Sequence, residues 1–132
     1  MAAKPETTFS AALHKRLPNQ IYRMKNNNPY TGGVPDCWYS GLGGDLWVEY
    51  KYLPTVPVTA VIQPLKLLSA LQAKWLNDRH KEGRNVAVII GCPKGGVILT
   101  RGAWLNEIPA KNFIALLRSK EELADWLQEQ VL

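Results

Sequence analysis

Asp36 stands behind a proline, and twelve residues of chain later Glu49 and Lys51 flank Tyr50. Around these three, the stretch is apolar and aromatic, with Leu46, Trp47, Val48, Tyr50 and Tyr52. Pro-Asp and Glu-x-Lys are each common, and alone Glu-x-Lys reads equally well as the solvated face of a strand. Together they supply what hydrolysis of a phosphodiester requires. A divalent cation must offset charge on the phosphate and lower the pKa of a bound water. Hard cations such as Mg²⁺ take oxygen ligands and ask for only one or two carboxylates. A cationic side chain must then hold the attacking water or the developing charge.

The elements that must position these groups can be read locally. Residues 45–52, DLWVEYKY, are rich in β-formers and predict a strand. Residues 34–40 predict a shorter strand, and Gly41, Gly43 and Gly44 supply the turn between them. The two form a hairpin. Side chains alternate along a strand, so Glu49 and Lys51 share one face and Tyr50 points to the other. Asp36, on the partner strand, reaches the same place, and the backbone carbonyl of Tyr50 offers a third oxygen. Carboxylate neighbours would keep Lys51 charged, whereas a bound metal would depress its pKa, and the residues leave both open. Asp45 reads as a turn residue rather than a substitute ligand for Glu49.

Phe9, Leu13 and Leu17 recur at helical spacing, so residues 8–17 predict a helix that Pro18 stops and Pro5 helps to start. Residues 19–33 hold Asn26-Asn27-Asn28, Pro29 and Gly32-Gly33 and predict a loop. Pro54 and Pro57 stiffen another. Residues 64–81 predict one long helix, with Leu65, Leu68, Trp75 and Leu76 on one side and Gly83 at its end. VAVIIG, residues 86–91, is a continuous apolar run and predicts a central buried strand. Residues 93–96 turn the chain into a further strand at 97–100. Ser119 and Glu122 form a capping-box pattern opening a helix to about residue 130. The order αββαββα predicts an α/β domain over residues 1–132, a mixed central sheet with helices on its faces.

Composition is consistent with this picture. The chain has 132 residues, 46% of them apolar, enough for one core. No apolar run is long enough to cross a membrane, and the first residues lack the apolar stretch of a signal peptide. Cys37 and Cys92 form no metal-binding pair, and a cytoplasmic setting is expected. The net charge is +5 although the last helix sets Lys120 against Glu121, Glu122, Asp125 and Glu129, so the rest of the chain is more basic still. A basic body suits a polyanionic partner.

The stretch GGVPDCWYSGLGGDLWVEYKYL resembles the core of the PD-(D/E)xK nucleases and is most similar to their VRR-NUC branch. In that branch an L-S-x-x-Q helix, a glycine and an apolar strand follow, matching Leu68-Ser69 with Gln72, then Gly83 and VAVIIG. The resemblance spans roughly residues 5–100. It implies a restriction-endonuclease-like fold and a Mg²⁺- or Mn²⁺-dependent DNA endonuclease without a nucleotide cofactor. Asp36, Glu49 and Lys51 would be catalytic, and Asp36, Glu49 and the Tyr50 carbonyl would hold the metal. Gln72 would lie beside that site, against the plainer reading of a helix-favouring residue at a half-exposed edge. Glu6, the sole acid before Asp36, matches the acidic residue the family places on its first helix, or simply complements the helix dipole. Stand-alone members act on branched DNA, four-way junctions included, usually as homodimers, and phages often encode them.

Arg23 and Lys25, in the predicted loop, and Lys66 and Lys74, on the polar side of the long helix, are candidate DNA contacts or ordinary surface charge. Trp38 or Trp47 could stack on a base or line an interface, while the five tryptophans mostly read as core. His14 and His80 are singletons without metal-ligand spacing. Residues 53–63 form a longer and more apolar loop than the family pattern leads one to expect, suited to covering the site or to a dimer interface. Two other readings compete. One is a nucleic-acid-binding module of the same fold without catalysis; the other is an unrelated protein that docks through its acidic last helix.

Overall fold

The computed structural model describes residues 4–26 and 32–132. In chain order, α1 (Pro5–His14) precedes β1 (Tyr22–Lys25), β2 (Cys37–Gly41) and β3 (Gly44–Tyr52). A short β4 (Val61–Ile62) leads into α2 (Pro64–Leu67), α3 (Ala70–Lys81), β5 (Val86–Cys92) and β6 (Gly95–Thr100). After a single 3₁₀ turn at Ala103–Leu105 come β7 (Ile108–Pro109), α4 (Ala110–Leu116) and α5 (Lys120–Val131). Five strands pair in the order β1-β2-β3-β5-β6. β3 and β5 run parallel and the other neighbours antiparallel.

The central strand explains its own composition. All seven residues of β5 are buried, because strands flank both its edges and helices cover both its faces. Phe9 and Leu13 of α1 and Leu123, Leu127 and Val131 of α5 pack on one face, against Tyr39, Leu46, Val48, Tyr50 and Ile89. Leu76 of α3, Trp104 and Phe113 pack on the other, against Val88, Ile90 and Val97. Each fully buried side chain of this size contributes about 1.5–3 kcal/mol of hydrophobic stabilisation. Gly91 lies directly beneath Phe9: a Cβ there would come within 2.8 Å of three ring atoms. Cys37 and Cys92 are buried and unbridged, and no helix among the described residues is long and apolar enough to span a membrane.

The mixed α/β fold, the β2–β3 hairpin and the capped last helix match the sequence expectation. Several details differ. Part of the predicted 19–33 loop is β1, a strand with all four residues exposed, so no burial alternation marks it; Asn27, Asn28 and Pro29 lie outside the described residues. The first helix lies three residues earlier at each end than predicted, although Leu17 is still buried. The predicted helix at 64–81 is two helices, because Leu68 and Ser69 are extended. Ser69 accepts from the Gln72 N–H, and the Gln72 side chain accepts from the Ser69 N–H, a capping box that starts a new helix. Leu65, expected on the apolar side, is exposed as a result. Gly83 ends α3 as expected, at φ +83°. β7 and α4 were not anticipated: α4 begins after Pro109 with no side-chain cap to announce it. The β4–β7 pairing ties the long 53–63 loop to the segment before α4, and Gln63 donates to Glu107 there.

Candidate active site

The register of the hairpin brings the predicted core together. Cys37 lies opposite Val48 at the end of the β2–β3 ladder, so Asp36 sits one step beyond it, beside Glu49 and Tyr50. There one Asp36 carboxylate oxygen accepts from the Tyr50 N–H at 3.0 Å. The neighbouring N–H groups of Trp47 and Leu53 donate to the carbonyls of Asn85 and Gly91, on the β5 side. The peptide groups of β3 alternate in direction, and that of Tyr50 is turned toward Asp36. The Tyr50 ring lies on the α1 face, so Glu49 and Lys51 open on the opposite face, under α3.

Glu49 is 2% exposed. Its Oε2 accepts from Gln72 Nε2 at 3.1 Å and lies 3.5 Å from Lys51 Nζ. Its Oε1 is buried with no hydrogen-bond partner. Burial pushes the Glu49 carboxyl up to about 8, the Asp36 carboxylate pushes the same way, and Lys51 opposes both. A buried acceptor without a partner is costly in a finished core. It is the natural place for a cation that takes oxygen ligands, and one or two carboxylates with a backbone oxygen match what Mg²⁺ or Mn²⁺ accepts from a protein. Gln72 is fully engaged: its amide N–H holds Glu49 while its oxygen caps α3, so the helix start and the carboxylate are fixed by one residue.

The other sequence candidates fall elsewhere. Glu6 is on α1, which packs on the face opposite Glu49, and no cluster of three or more potential metal-ligating side chains forms among the described residues. Glu6 therefore does not join Asp36 and Glu49. Arg23 and Lys25 are on β1 rather than in a loop, and they flank His14 on the α1 side, where Lys25 donates to Thr7. Lys66 is on the short α2, and Lys74 pairs with Asp78 on the exposed side of α3. His14 belongs to a chain not anticipated from sequence: its Nε2 lies 2.6 Å from the Tyr39 hydroxyl, itself 2.6 Å from the Tyr50 hydroxyl. Burial, reinforced by Arg23 and Lys25, lowers His14 to about 4, so it is neutral at ordinary pH. Burial likewise raises both tyrosines. Aromatic–polar alternation in β3, Glu49-Tyr50-Lys51-Tyr52, was the available signal for this chain; its partners on β2 and α1 were not visible locally.

A row of rings continues the site along the same face. Trp38 packs on Trp47 with ring centroids 5.9 Å apart, and Trp47 on Trp75 of α3 at 5.4 Å. The Arg79 guanidinium lies 5.6 Å from the Trp75 ring centre. Gln72, Trp75 and Arg79 form one stripe of α3, so the same helix face serves Glu49 and then the indoles.

The fold has a known counterpart. It is similar to that of Hjc, a Holliday junction resolvase from the archaeal hyperthermophile Archaeoglobus fulgidus, with a TM-score of 0.55 over 92% of this chain and 97% of that one. At 16% identity the likeness concerns the fold alone. No protein-family profile and no curated protein matches the sequence.

Proposed function

We propose that the chain is a divalent-metal-dependent DNA endonuclease of the PD-(D/E)xK type, similar to its VRR-NUC branch, that selects branched DNA by shape. The convergence of Asp36, Glu49 and Lys51 on one end of a hairpin, with a buried Glu49 oxygen left unpaired, carries this reading. The fold shared with a Holliday junction resolvase supports it and suggests the four-way junction as substrate.

Asp36, Glu49 and the Tyr50 carbonyl would hold Mg²⁺ or Mn²⁺. When bound, the cation supplies charge neutralisation at the phosphate and a water acidic enough to attack it. Lys51, 3.5 Å from Glu49, is placed to orient that water or to meet the charge that develops on the phosphate. Gln72 holds Glu49 in one orientation, as outer partners of metal-binding carboxylates do. Asp36 is held by the Tyr50 N–H, which ties its position to the strand that carries Glu49 and Lys51. A homodimer would present two such sites to the two-fold symmetry of a junction.

Labelled linear, flap and four-way-junction DNA, each incubated with Mg²⁺, Mn²⁺ or EDTA, tests this directly. Junction cleavage that needs metal supports it. Metal-independent, salt-sensitive binding without cutting would instead mean a non-catalytic module.

A further inference from the structure

We propose that the tryptophan row beside Glu49 is a stacking site for an unpaired nucleobase of the DNA substrate. The setting is a cavity of about 340 Å³ lined by Asp45, Trp47, Trp75, Arg79, Arg84 and Asn85. It lies on the same sheet face as the candidate active site, and Trp47 is two strand positions from Glu49, roughly 7 Å along β3.

The lining matches a base in three respects. Trp38, Trp47 and Trp75 are all half-buried rather than sealed, and Tyr22, 59% exposed, extends the row from Trp38 across β1. Flat indole surfaces stack on any base, whatever its sequence. Arg84 is exposed, and Arg79, whose Nη2 pairs with Glu82 at 2.8 Å, keeps a buried Nε without a hydrogen-bond partner at the cavity. The exposed Arg84 guanidinium at the rim suits the phosphate of a strand. Asn85 and Asp45 add an amide and a carboxylate of the kind that read base edges. Asp45 also accepts from Trp38 Nε1 at 2.8 Å, which fixes the outer ring of the row. A wholly structural cluster would gain most by excluding solvent and charge; this one keeps an opening and the exposed Arg84 at its edge.

The inference rests on and deepens the nuclease reading, in which a cation held by Asp36 and Glu49, together with Lys51, would engage the neighbouring phosphate. It makes the preferred substrate DNA with unstacked bases next to the cut, as at a branch point. Its test does not depend on cleavage. In EDTA, the protein is titrated with a duplex carrying 2-aminopurine in an unpaired overhang and with the same duplex fully paired. Tryptophan and 2-aminopurine fluorescence and affinity are read at low and high salt.

The unpaired probe should bind more tightly and show mutual quenching. Trp38→Ala should weaken it about 5- to 100-fold, a loss that persists at high salt because stacking releases no counterions. Arg84→Gln, at an exposed position where folding is not at stake, should reduce the salt slope by about 1. Equal binding of the paired and unpaired probes, or unaltered binding by folded Trp38→Ala and Arg84→Gln proteins, would overturn the proposal. Quenching by the unpaired probe in a protein that never cleaves would refute the nuclease reading and leave the stacking site standing. Junction cleavage with no preference for unpaired bases would do the reverse.

Discussion

Replacing Glu49 by Gln should change how the metal-free protein responds to pH. In the fold its carboxyl holds a proton up to about pH 8, against an ordinary value near 4.5. Between those values the native state binds one proton more than the unfolded chain. The unfolding free energy therefore falls as pH rises, with stability present below about pH 5 and lost toward pH 8. Each tenfold change in proton affinity is worth about 1.4 kcal/mol, which sets an upper bound of about 5 kcal/mol for this site. Local relaxation and entry of water reduce that, and a loss of about 2–3 kcal/mol is the working expectation. Gln has the same shape and no charge, so the variant should lack this component of the slope. Urea unfolding in EDTA at pH 5.5 and pH 8, followed by circular dichroism, measures both proteins. Adding Mg²⁺ should restore the wild type selectively at pH 8, by about 2.7 kcal/mol at one hundred times its dissociation constant. Parallel pH profiles for wild type and Glu49→Gln, or equal Mg²⁺ stabilisation of the two, would refute the assignment of a buried, proton-bound metal ligand.

Two packing and capping predictions follow from the same elements. Ser69→Ala should cost about 1 kcal/mol by removing the cap of α3; Gln72→Ala should cost at least as much and, by freeing Glu49, should also weaken Mg²⁺ binding in calorimetry, which Ser69→Ala should leave largely intact. Equal effects of the two on Mg²⁺ affinity would show that Gln72 acts only as a cap. Gly91→Ala should destabilise by about 1–3 kcal/mol, because the new methyl meets the Phe9 ring. Phe9→Leu should relieve part of that cost, so a double-mutant cycle on thermal unfolding should be non-additive, and strict additivity would mean the ring is not what the methyl meets.

What could be read from the chain alone was what is local. The alternation of Glu49, Tyr50 and Lys51 predicts their faces, and the short Gly-rich turn predicts the partner strand that brings Asp36 back to them. The apolar run of β5 announces a strand buried on both faces. Features that depend on competition or distant packing were hidden. Ser69 reads as part of a helix until its cap with Gln72 is seen to break residues 64–81 in two. β1 is a strand only because its backbone pairs with β2, and its exposed residues carry no pattern. Glu6 reads from the sequence as either an acid of the site or a helix-dipole residue; α1 packs on the other face of the sheet, and among the described residues no cluster of three or more potential metal ligands forms. The link between Gln72 and Glu49 required the helix to be laid over the strand, and the same docking joins Trp75 to Trp47.

The decisive measurement compares wild type with Lys51→Ala on a labelled four-way junction, scoring binding in EDTA and cleavage in Mg²⁺. Lys51 is partly exposed, so its removal should leave the fold and junction binding in place while cleavage falls about 100-fold or more. Undiminished cleavage by Lys51→Ala, or no metal-dependent cleavage by the wild type on any branched substrate, would contradict the assignment of Asp36, Glu49 and Lys51 as a nuclease centre.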